Sequence, residues 1–402
     1  MKIMLSAGET SGDTYGAHLV KYLKDLRPDI YFFGMGGNRM FSAGVDIKFD
    51  ISSKGTVGIF EALPNALSIF SVLSKMKALL LKESPDLLIL IDSQGLNMPL
   101  AKYANAIGIK TCYFIAPQEW LWGSSKNTKI VAETLDYIIA IFEKEYSIYK
   151  SFGANVFYFG HPLLDMIKIN STREQILSKL GANISEPIIM LCPGSRIQEI
   201  NSVFPVLLSA CEIFSQKYPN SFFPVAAASA WIKPYIISRL KKSSLKNFQV
   251  FENLTHEIIS VSDLVLASSG TINLEASIIG TPNIMAYKLN PLTFFIAKNI
   301  LKLGNKLKYF SMPNILLGKR LVPELIQENA TAANIFNCLN DSYVNKVSFD
   351  NKSLLAKLGS PPVFPNIAKK ILSFTSSPCT PHLSAGRRGP KGDPRTKATF
   401  AG

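Results

Sequence analysis

The sequence predicts an α/β fold made of two Rossmann-like, doubly wound lobes that face each other across a cleft. Short apolar runs alternate with amphipathic helical segments, which is typical of a parallel sheet with helices on both faces. The same alternation stops near residue 170 and restarts near residue 188. At 402 residues, the chain is long enough to bury two separate cores.

The first lobe is predicted to span residues 1–168. Its apolar runs predict strands at residues 3–5, 31–34, 87–91, 110–114, 137–141 and 156–159. Amphipathic segments between them predict helices at residues 17–25, 66–81 and 100–106. Residues 160–170, which contain Pro162, are predicted to lead out of this lobe.

The second lobe is predicted to span residues 169–345. Its strands are predicted at residues 188–192, 222–226, 248–251, 264–267 and 283–286, and its helices at residues 203–217, 231–241 and 272–278. Residues 346–375 are predicted to form a helical segment that returns to the first lobe or to a partner subunit. Residues 376–402, rich in Ser, Pro, Gly and Arg, are predicted to be a disordered basic tail.

Charge and composition narrow the classes of partner. The formal net charge of +14 favours an anionic partner. The sequence lacks the dense Lys/Arg clusters of nucleic-acid-binding proteins. Phosphorylated substrates and acidic lipids are therefore favoured over nucleic acid as partners. No apolar run approaches the roughly 20 residues of a membrane-spanning helix. Met1 leads directly into the first strand, so we expect a cytoplasmic protein without a signal peptide. The five cysteines and four histidines show no metal-ligand spacing, so no metal is predicted.

Two strand-to-helix turns of the second lobe predict a nucleotide-diphosphate site. Gly194 and Ser195 offer backbone N–H groups, and the Arg196 guanidinium beside them can grip a diphosphate. In the other turn, Ser269, Gly270 and Thr271 precede a helix, whose N-terminus favours phosphate, and Glu275 lies one turn further on, where it can accept from ribose hydroxyls. The alternative interpretation is ordinary turns with a helix cap and surface charges.

The corresponding turns of the first lobe carry carboxylates. The segment Ala-Gly-Glu-Thr-Ser-Gly-Asp, residues 7–13, contains Glu9, Ser11 and Asp13, which suit hydrogen bonds to a sugar better than a phosphate. Asp92 follows the strand at residues 87–91, so its carboxylate is placed to act as a general base toward an attacking alcohol. Helix capping is the alternative for Glu9, Asp13 and Asp92.

Six segments together resemble lipid-A-disaccharide synthase. They are residues 7–13, Val-Gly-Ile-Phe-Glu at 57–61, Asp92 with Asn97, Pro-Gly-Ser-Arg at 193–196, Ser-Gly-Thr with Glu275 at 269–275, and Ser-Met-Pro-Asn-Ile-Leu at 311–316. The resemblance implies a glycosyltransferase of the GT-B type. It would join UDP-2,3-diacylglucosamine to 2,3-diacylglucosamine 1-phosphate through a β-1,6 bond and release UDP. It implies metal-free chemistry without a cofactor, the cytoplasmic face of the inner membrane, and family members that can form domain-swapped homodimers.

The resemblance also implies functional residues at matching positions. It supports Asp92 as base and Arg196 as the group that stabilises the leaving diphosphate. It places Glu9, Ser11, Gly12, Asp13, Glu61 and Asn97 on the acceptor side, and Asn314, Glu324 and Gln327 on the nucleotide side. The turn after Asp92 departs from the family pattern, because Ser-Gln-Gly-Leu stands where the family usually has a segment with Pro and Phe.

Other classes of function are kept as alternatives. One is a different GT-B transferase or an epimerase that uses UDP-sugar, and another is a non-catalytic basic protein that binds lipid or nucleic acid. Two apolar stretches, residues 59–81 and 292–303, are candidates for contact with acyl chains or a membrane surface; a core-packed helix is the alternative for the second.

Overall fold

The computed structural model describes residues 1–51, 66–182, 187–268, 270–288, 308–346 and 349–376, and these form two parallel sheets. The strands of the first sheet are β1 (Lys2–Ala7), β2 (Tyr31–Gly36), β3 (Asp46–Asp50), β4 (Leu87–Ile91), β5 (Thr111–Phe114), β6 (Tyr137–Ala140) and β7 (Val156–Tyr158). Their order across the sheet is β3-β2-β1-β4-β5-β6-β7.

The second sheet follows the same plan. Its described strands are β8 (Ile189–Cys192), β9 (Phe223–Ala226), β10 (Phe248–Phe251), β11 (Leu264–Ala267), β12 (Asn283–Tyr287) and β13 (Glu324–Ile326). Their order is β10-β9-β8-β11-β12-β13, and every described pairing in both sheets is parallel. The predicted fold class of two doubly wound lobes is confirmed.

Helices cover the faces of both sheets. Those of the first half of the chain are α1 (Thr10–Leu26), α2 (Asn38–Ser42), α3 (Ala66–Glu83), α4 (Gln94–Ala106), α5 (Glu119–Trp122), α6 (Ser125–Thr134), α7 (Glu143–Ser151), α8 (Leu163–Met166) and α9 (Arg173–Leu180). Those of the second half are α10 (Ile197–Ser202), α11 (Phe204–Lys217), α12 (Lys233–Leu240), α13 (Thr255–Val261), α14 (Thr271–Ile279), α15 (Met312–Leu317), α16 (Ala332–Val344), α17 (Lys352–Leu358) and α18 (Phe364–Ser376).

Each sheet has a hydrophobic core on both faces, which explains why its central strands are apolar at every position. In β4, Leu87, Ile89 and Ile91 pack into one core, while Leu88 and Leu90 pack into the other. In the second lobe, β8 alternates between its two cores in the same way. Because strand side chains alternate between faces, only an unbroken apolar run can bury both.

Two described strands were not predicted, and both lie at sheet edges. β3 has the sequence Asp-Ile-Lys-Phe-Asp, and none of its residues is fully buried. β13 has three residues, and all of them are only partly buried. An edge strand has one neighbour and leaves much of its surface to solvent, so it needs no continuous apolar run.

The last two described helices, α17 and α18, pack on the first lobe. The Phe364 ring of α18 stacks on His18 and Tyr22 of α1, with ring centroids 5.6 and 5.7 Å apart. The Phe374 ring stacks on Tyr137 of β6 at 3.7 Å. Leu354 and Leu358 of α17 also belong to this core.

The chain therefore passes between the lobes twice, and the two passages touch. The His161 N–H donates to the Leu358 carbonyl at 2.7 Å. A Cβ added to Gly359 would lie only 2.8 Å from the Gly160 Cα, so the two backbones meet at a pair of glycines.

Several sequence predictions fall outside the described residues. These are the whole of residues 292–303, the first part of residues 59–81, and residues 377–402. Among the described residues, no helix is both long and apolar enough to cross a membrane.

Glu145 of α7 is expected to make the stability of the protein depend on pH. Its side chain is fully buried, and its Oε2 accepts from the Ile141 N–H at 2.9 Å. Burial raises the pKa of the Glu145 carboxyl to about 8. The folded protein therefore binds more protons than the unfolded chain between the ordinary carboxyl pKa of 4.5 and about pH 8.

Glu145→Gln is expected to flatten the dependence of stability on pH. In the wild type, the free energy of unfolding should fall as the pH rises from about 5 to about 8, because the buried carboxyl must release its proton in that window. Glutamine has no proton to release in this range, so the variant should lose that component. Urea titrations at both pH values measure it, and an unchanged pH slope in the variant would contradict the assignment.

Candidate active site

The site forms where strand order reverses in each sheet. In the first sheet this point lies between β1 and β4, and in the second between β8 and β11. Helices leave in opposite directions on either side of such a point, so a crevice opens beyond the carboxyl ends of the two strands. Four turns therefore border the cleft between the lobes, and their described residues are 8–9, 92–93, 193–196, and Ser268 with Gly270.

A cavity of about 890 Å³ occupies this cleft and is lined by both lobes. Eight predicted site residues line it, namely Glu9, Ser11, Gly194, Ser195, Arg196, Gly270, Thr271 and Glu275. Asp92 lies directly behind this lining, since the Ser11 hydroxyl donates to its Oδ2 at 3.4 Å. The cleft thus brings together the carboxylates of the first lobe and the turns of the second lobe that are predicted to bind a diphosphate. Glu61 and Ser269 lie outside the described residues.

Asp92 occupies an unusual backbone conformation. Its φ is +52° and that of Ser93 is +50°, so two consecutive residues with side chains are in the left-handed region. Such a conformation costs free energy and persists only where surrounding contacts enforce it. Gly8 lies against this turn, because a Cβ on Gly8 would approach the Ser93 Oγ to 2.6 Å. Only glycine fits at that contact.

Asn97 and Tyr113 enforce the conformation at Asp92. The Asn97 side-chain amide donates to the Asp92 carbonyl at 2.7 Å and also to the carbonyls of Ser6 and Ile91, each at 3.1 Å. The Tyr113 hydroxyl donates to the Asp92 carbonyl at 2.6 Å. Asn97 is fully buried, so the structure places this predicted acceptor-binding residue behind the cavity, where it supports the turn that carries the predicted general base Asp92.

Burial and a neighbouring charge raise the pKa of the Asp92 carboxyl. Desolvation is the largest cause, and the negative charge of Glu9 adds to it. The Ser11 hydrogen bond and the positive charge of Arg196 act in the opposite direction. A carboxylate with a raised pKa is a stronger base, which suits proton removal from an alcohol.

Arg196 joins the two lobes across the cleft. Its guanidinium contacts the Glu9 carboxylate at 3.0 Å and the Glu199 carboxylate at 3.6 Å. Glu199 also accepts from the Ser195 N–H at 3.1 Å. In this structure, carboxylate oxygens therefore contact both groups that were predicted to hold a diphosphate. Phosphate oxygens accept hydrogen bonds as carboxylate oxygens do, so the same donors suit the predicted diphosphate.

The second turn of this lobe ends at the N-terminus of α14. Gly270 has a φ of +127°, which a side chain would disfavour, and Thr271 begins the helix at the cavity surface. The Asn273 side chain donates to the Ser268 carbonyl at 2.7 Å. This contact matches the one from Asn97 to Asp92, since both asparagines lie five residues after the carbonyl they hold. The dipole of α14 makes its start favourable for negative charge.

Glu275 faces the cavity one turn into α14. Its Oε2 lies 2.9 Å from the Nε2 of His256 on α13. Tyr15 of α1 also lines the cavity, and the negative charges of Glu275 and Asp92 act on its hydroxyl. Burial, followed by these two charges, raises the pKa of the Tyr15 hydroxyl. Tyr15 therefore remains a neutral hydrogen-bonding group.

Two further predicted acceptor residues are used inside the first lobe. The Asp13 carboxylate accepts from the backbone N–H groups of Gly37, Arg39 and Met40 at 2.7, 3.1 and 3.0 Å, which satisfies the N-terminus of α2. Gly12 is buried against β1, because a Cβ there would lie 3.2 Å from the Ala7 Cβ. Neither residue lines the cavity.

The three predicted residues of the later nucleotide motif also lie away from the cavity. Asn314 and Glu324 bond to each other at 2.8 Å, and Glu324 accepts from Ser311 while Asn314 accepts from Leu321 and Val322. Gln327 follows β13 with a φ of +53°. This network fixes α15 against the edge of the second sheet, and a direct nucleotide contact of its members stays a prediction.

Sequence reasoning missed five residues of the site, namely Tyr15, Tyr113, Glu199, His256 and Asn273. Tyr113 and Asn273 donate hydrogen bonds to backbone carbonyls, and no sequence pattern marks a residue for such a contact. His256 and Glu199 each follow the end of a strand within a few residues, and this position was the signal that could have indicated them.

Comparison with known proteins decides the family. The family model described as Lipid-A-disaccharide synthetase matches residues 3–357. The chain belongs to the lipid-A-disaccharide synthase family. Lipid-A-disaccharide synthase of Trichlorobacter lovleyi is 35% identical over 348 residues, which cover 86% of this chain and 89% of the relative. That of Geobacter metallireducens is 36% identical over 334 residues, covering 83% and 85%. The resemblance drawn from the motifs is confirmed, and this member of the family is a glycosyltransferase.

Solved structures with a similar fold are more distant in sequence. UDP-GlcNAc 2-epimerase from Neisseria meningitidis, bound to UDP-GlcNAc, aligns with a TM-score of 0.61 at 15% identity and covers 93% of this chain and 99% of its own. Staphylococcus aureus MnaA with UDP aligns with a TM-score of 0.64 at 13% identity, covering 94% and 98%. These likenesses show that the lipid-A-disaccharide synthase family member has the two-lobed fold.

Asp13→Ala is expected to destabilise the protein by about 2 kcal/mol, because three backbone N–H groups lose a charged acceptor. Asp13→Asn keeps an acceptor oxygen and should lose less. Urea unfolding followed by circular dichroism measures both variants. A stable Asp13→Ala protein that binds the acceptor poorly would show instead that Asp13 contacts the substrate.

Proposed function

We propose that the protein transfers 2,3-diacylglucosamine from UDP-2,3-diacylglucosamine to the 6-hydroxyl of 2,3-diacylglucosamine 1-phosphate. The products are the β-1,6-linked lipid A disaccharide 1-phosphate and UDP. Family membership supports the reaction. The assignment of the site rests on the contact between the Arg196 guanidinium and the Glu9 carboxylate at 3.0 Å. This contact brings the lobe with the proposed base Asp92 close to the lobe with the proposed diphosphate site.

On the acceptor side, Asp92 takes the proton from the 6-hydroxyl as its oxygen attacks the anomeric carbon. The attack from the face opposite the leaving group inverts the configuration at that carbon. Ser11 holds one oxygen of the Asp92 carboxylate, and Asn97 and Tyr113 fix its backbone. Glu9, which lines the cavity beside Ser11, is available to a sugar hydroxyl once it leaves Arg196.

On the donor side, the electron pair of the broken bond from the anomeric carbon to oxygen stays with the β-phosphate of UDP. Arg196 and the N-terminus of α14 at Gly270 and Thr271 stabilise the charge that develops there. The diphosphate takes the place that the Glu9 and Glu199 carboxylates occupy at the Arg196 turn. Glu275 accepts from the ribose hydroxyls. No metal or cofactor is part of the proposed mechanism.

The acylated substrates place the reaction at a lipid surface. We propose peripheral association with the cytoplasmic face of the inner membrane, without nucleic acid as a partner. Exposed aromatic side chains of the first lobe, Phe41 on α2 and Phe70 on α3, are 67% and 70% accessible and support such contact. A domain-swapped homodimer is part of the proposal: helix α18 packs on the first lobe through ring contacts, and the same contacts would form if the helix came from a second copy.

Asp92→Ala is expected to lower kcat about a hundredfold to ten-thousandfold, the range for loss of a general base. Arg196→Ala should lower it about a hundredfold to a thousandfold, because the leaving diphosphate loses its guanidinium. The measurement is UDP release by purified protein with both acylated substrates.

Glu133→Ala is the control for Asp92→Ala, and Arg27→Ala is the control for Arg196→Ala. Each control removes a charge of the same sign from a side chain that is more than half exposed. Both should retain activity. Chelation with EDTA should also leave UDP release unchanged, and UDP release should require the acceptor. Full activity of Asp92→Ala or Arg196→Ala would overturn the site, whereas activity lost on chelation would overturn the metal-free mechanism.

Glu9→Gln is expected to shift the acidic limb of the kcat/KM profile to lower pH. The Glu9 charge helps to hold the pKa of Asp92 above its ordinary range, so removing it should lower that pKa and leave the base ionised in more acidic solution. The pH dependence of UDP release measures the limb. A limb that stays in place or moves to higher pH would be inconsistent with Asp92 as the titrating base.

A further inference from the structure

His256 is a cavity residue that neither the motifs nor the mechanism above employs. It lines the cleft beside Glu275, and the two side chains are 23% and 17% exposed. The His256 Nε2 lies 2.9 Å from the Glu275 Oε2. An ionised carboxylate can only accept, so the imidazole donates from Nε2 in this pair.

The fold holds the histidine firmly in this position. Leu254, at the end of the turn after β10, has a φ of +67° and directs the chain into α13. Ile258 and Ile259 of α13 are buried in the core of the second lobe, together with Ala276 of α14. The donor and the acceptor therefore stand on two helices that share one core.

This contact decides how Glu275 can meet a ligand. A glutamate side chain has three rotatable bonds and loses conformational freedom when it binds. The hydrogen bond from His256 uses one acceptor position of Oε2 and fixes the carboxylate, which leaves Oε1 and the second lone pair of Oε2 to accept from hydroxyl groups in the cavity. Two neighbouring hydroxyls, as on the 2′ and 3′ carbons of ribose, fit one carboxylate held in this way.

We propose that His256 is a positioning residue for the nucleotide: by fixing Glu275, it raises affinity for a ribonucleoside diphosphate and the preference for ribose over 2′-deoxyribose. The inference rests on the proposed function, since it assigns the ribose of UDP to Glu275. His256 lies outside the sequence motifs, and its contact with Glu275 would help the site to select ribose over 2′-deoxyribose.

Two amide variants separate positioning from packing. Glutamine can place its side-chain nitrogen near the position of the histidine Nε2, whereas asparagine is too short to reach Glu275. His256→Asn is expected to weaken UDP binding about tenfold, the effect of losing one charge-assisted hydrogen bond. His256→Gln should bind within about twofold of the wild type. Binding of 2′-deoxy-UDP should be weak in the wild type and little affected by either variant.

Isothermal titration calorimetry of the full chain with UDP and 2′-deoxy-UDP measures these affinities, and circular dichroism checks the fold. In a Glu275→Ala background, His256→Asn should cause no further loss, because the histidine acts through the carboxylate. In the transfer assay, His256→Asn should raise KM for the donor and leave kcat near the wild-type value.

The inference is overturned if His256→Asn binds UDP as tightly as the wild type, if His256→Gln is equally impaired, or if the loss persists without Glu275. Failure of the proposed function has a different signature. In that case the wild type releases no UDP from the acylated substrates, while calorimetry with UDP still reports on His256.

Discussion

Parallel pairing in both sheets is the constraint on which the site depends. When all strands of a sheet point the same way, their carboxyl ends meet at one edge, and the reversal of strand order opens that edge to a ligand. β1 and β4 deliver Glu9 and Asp92 to the cleft, and β8 and β11 deliver Arg196 and the start of α14. Topology thus divides the proposed chemistry between the lobes, with the proposed proton acceptor Asp92 on one side and the cationic and dipolar groups on the other.

In both lobes, an asparagine side chain donates a hydrogen bond to a backbone carbonyl in a turn at the cleft. A turn that follows a buried strand leaves a carbonyl without a strand partner, and burial of such a group is costly unless it is bonded. Asn97 supplies the donor for Asp92, and Asn273 supplies it for Ser268. At Asp92 the bond also holds a left-handed backbone. Both asparagines are fully buried and hold the backbone of turns at the cleft without lining the cavity, which explains how a sequence motif can include a buried residue.

The sequence was sufficient for the architecture and for the cleft, and less so for individual roles. Unbroken apolar runs identified the central strands, because both faces of those strands are buried, whereas the edge strands β3 and β13 carry no such signal. The rule that ligands bind beyond the carboxyl ends of parallel strands predicted Glu9, Arg196 and Glu275 at one cleft, and all three line the cavity. It could not distinguish a side chain that faces the cavity from one that bonds backward, as Asp13 and Asn97 do, since that depends on local rotation of the chain. His256 lacked a motif, and only its spatial neighbour Glu275 reveals it.

The double passage of the chain between the lobes has a mechanical consequence. Two lobes joined by one connecting segment can rotate relative to each other about several axes. With two connecting segments in contact, we expect the least hindered rotation to be about the line that joins the two segments. The contact of Gly160 with Gly359 places this hinge axis at two residues without side chains, where backbone rotation is least hindered. Separation of the lobes about that axis would break the ion pair of Glu9 with Arg196, which joins them across the cleft.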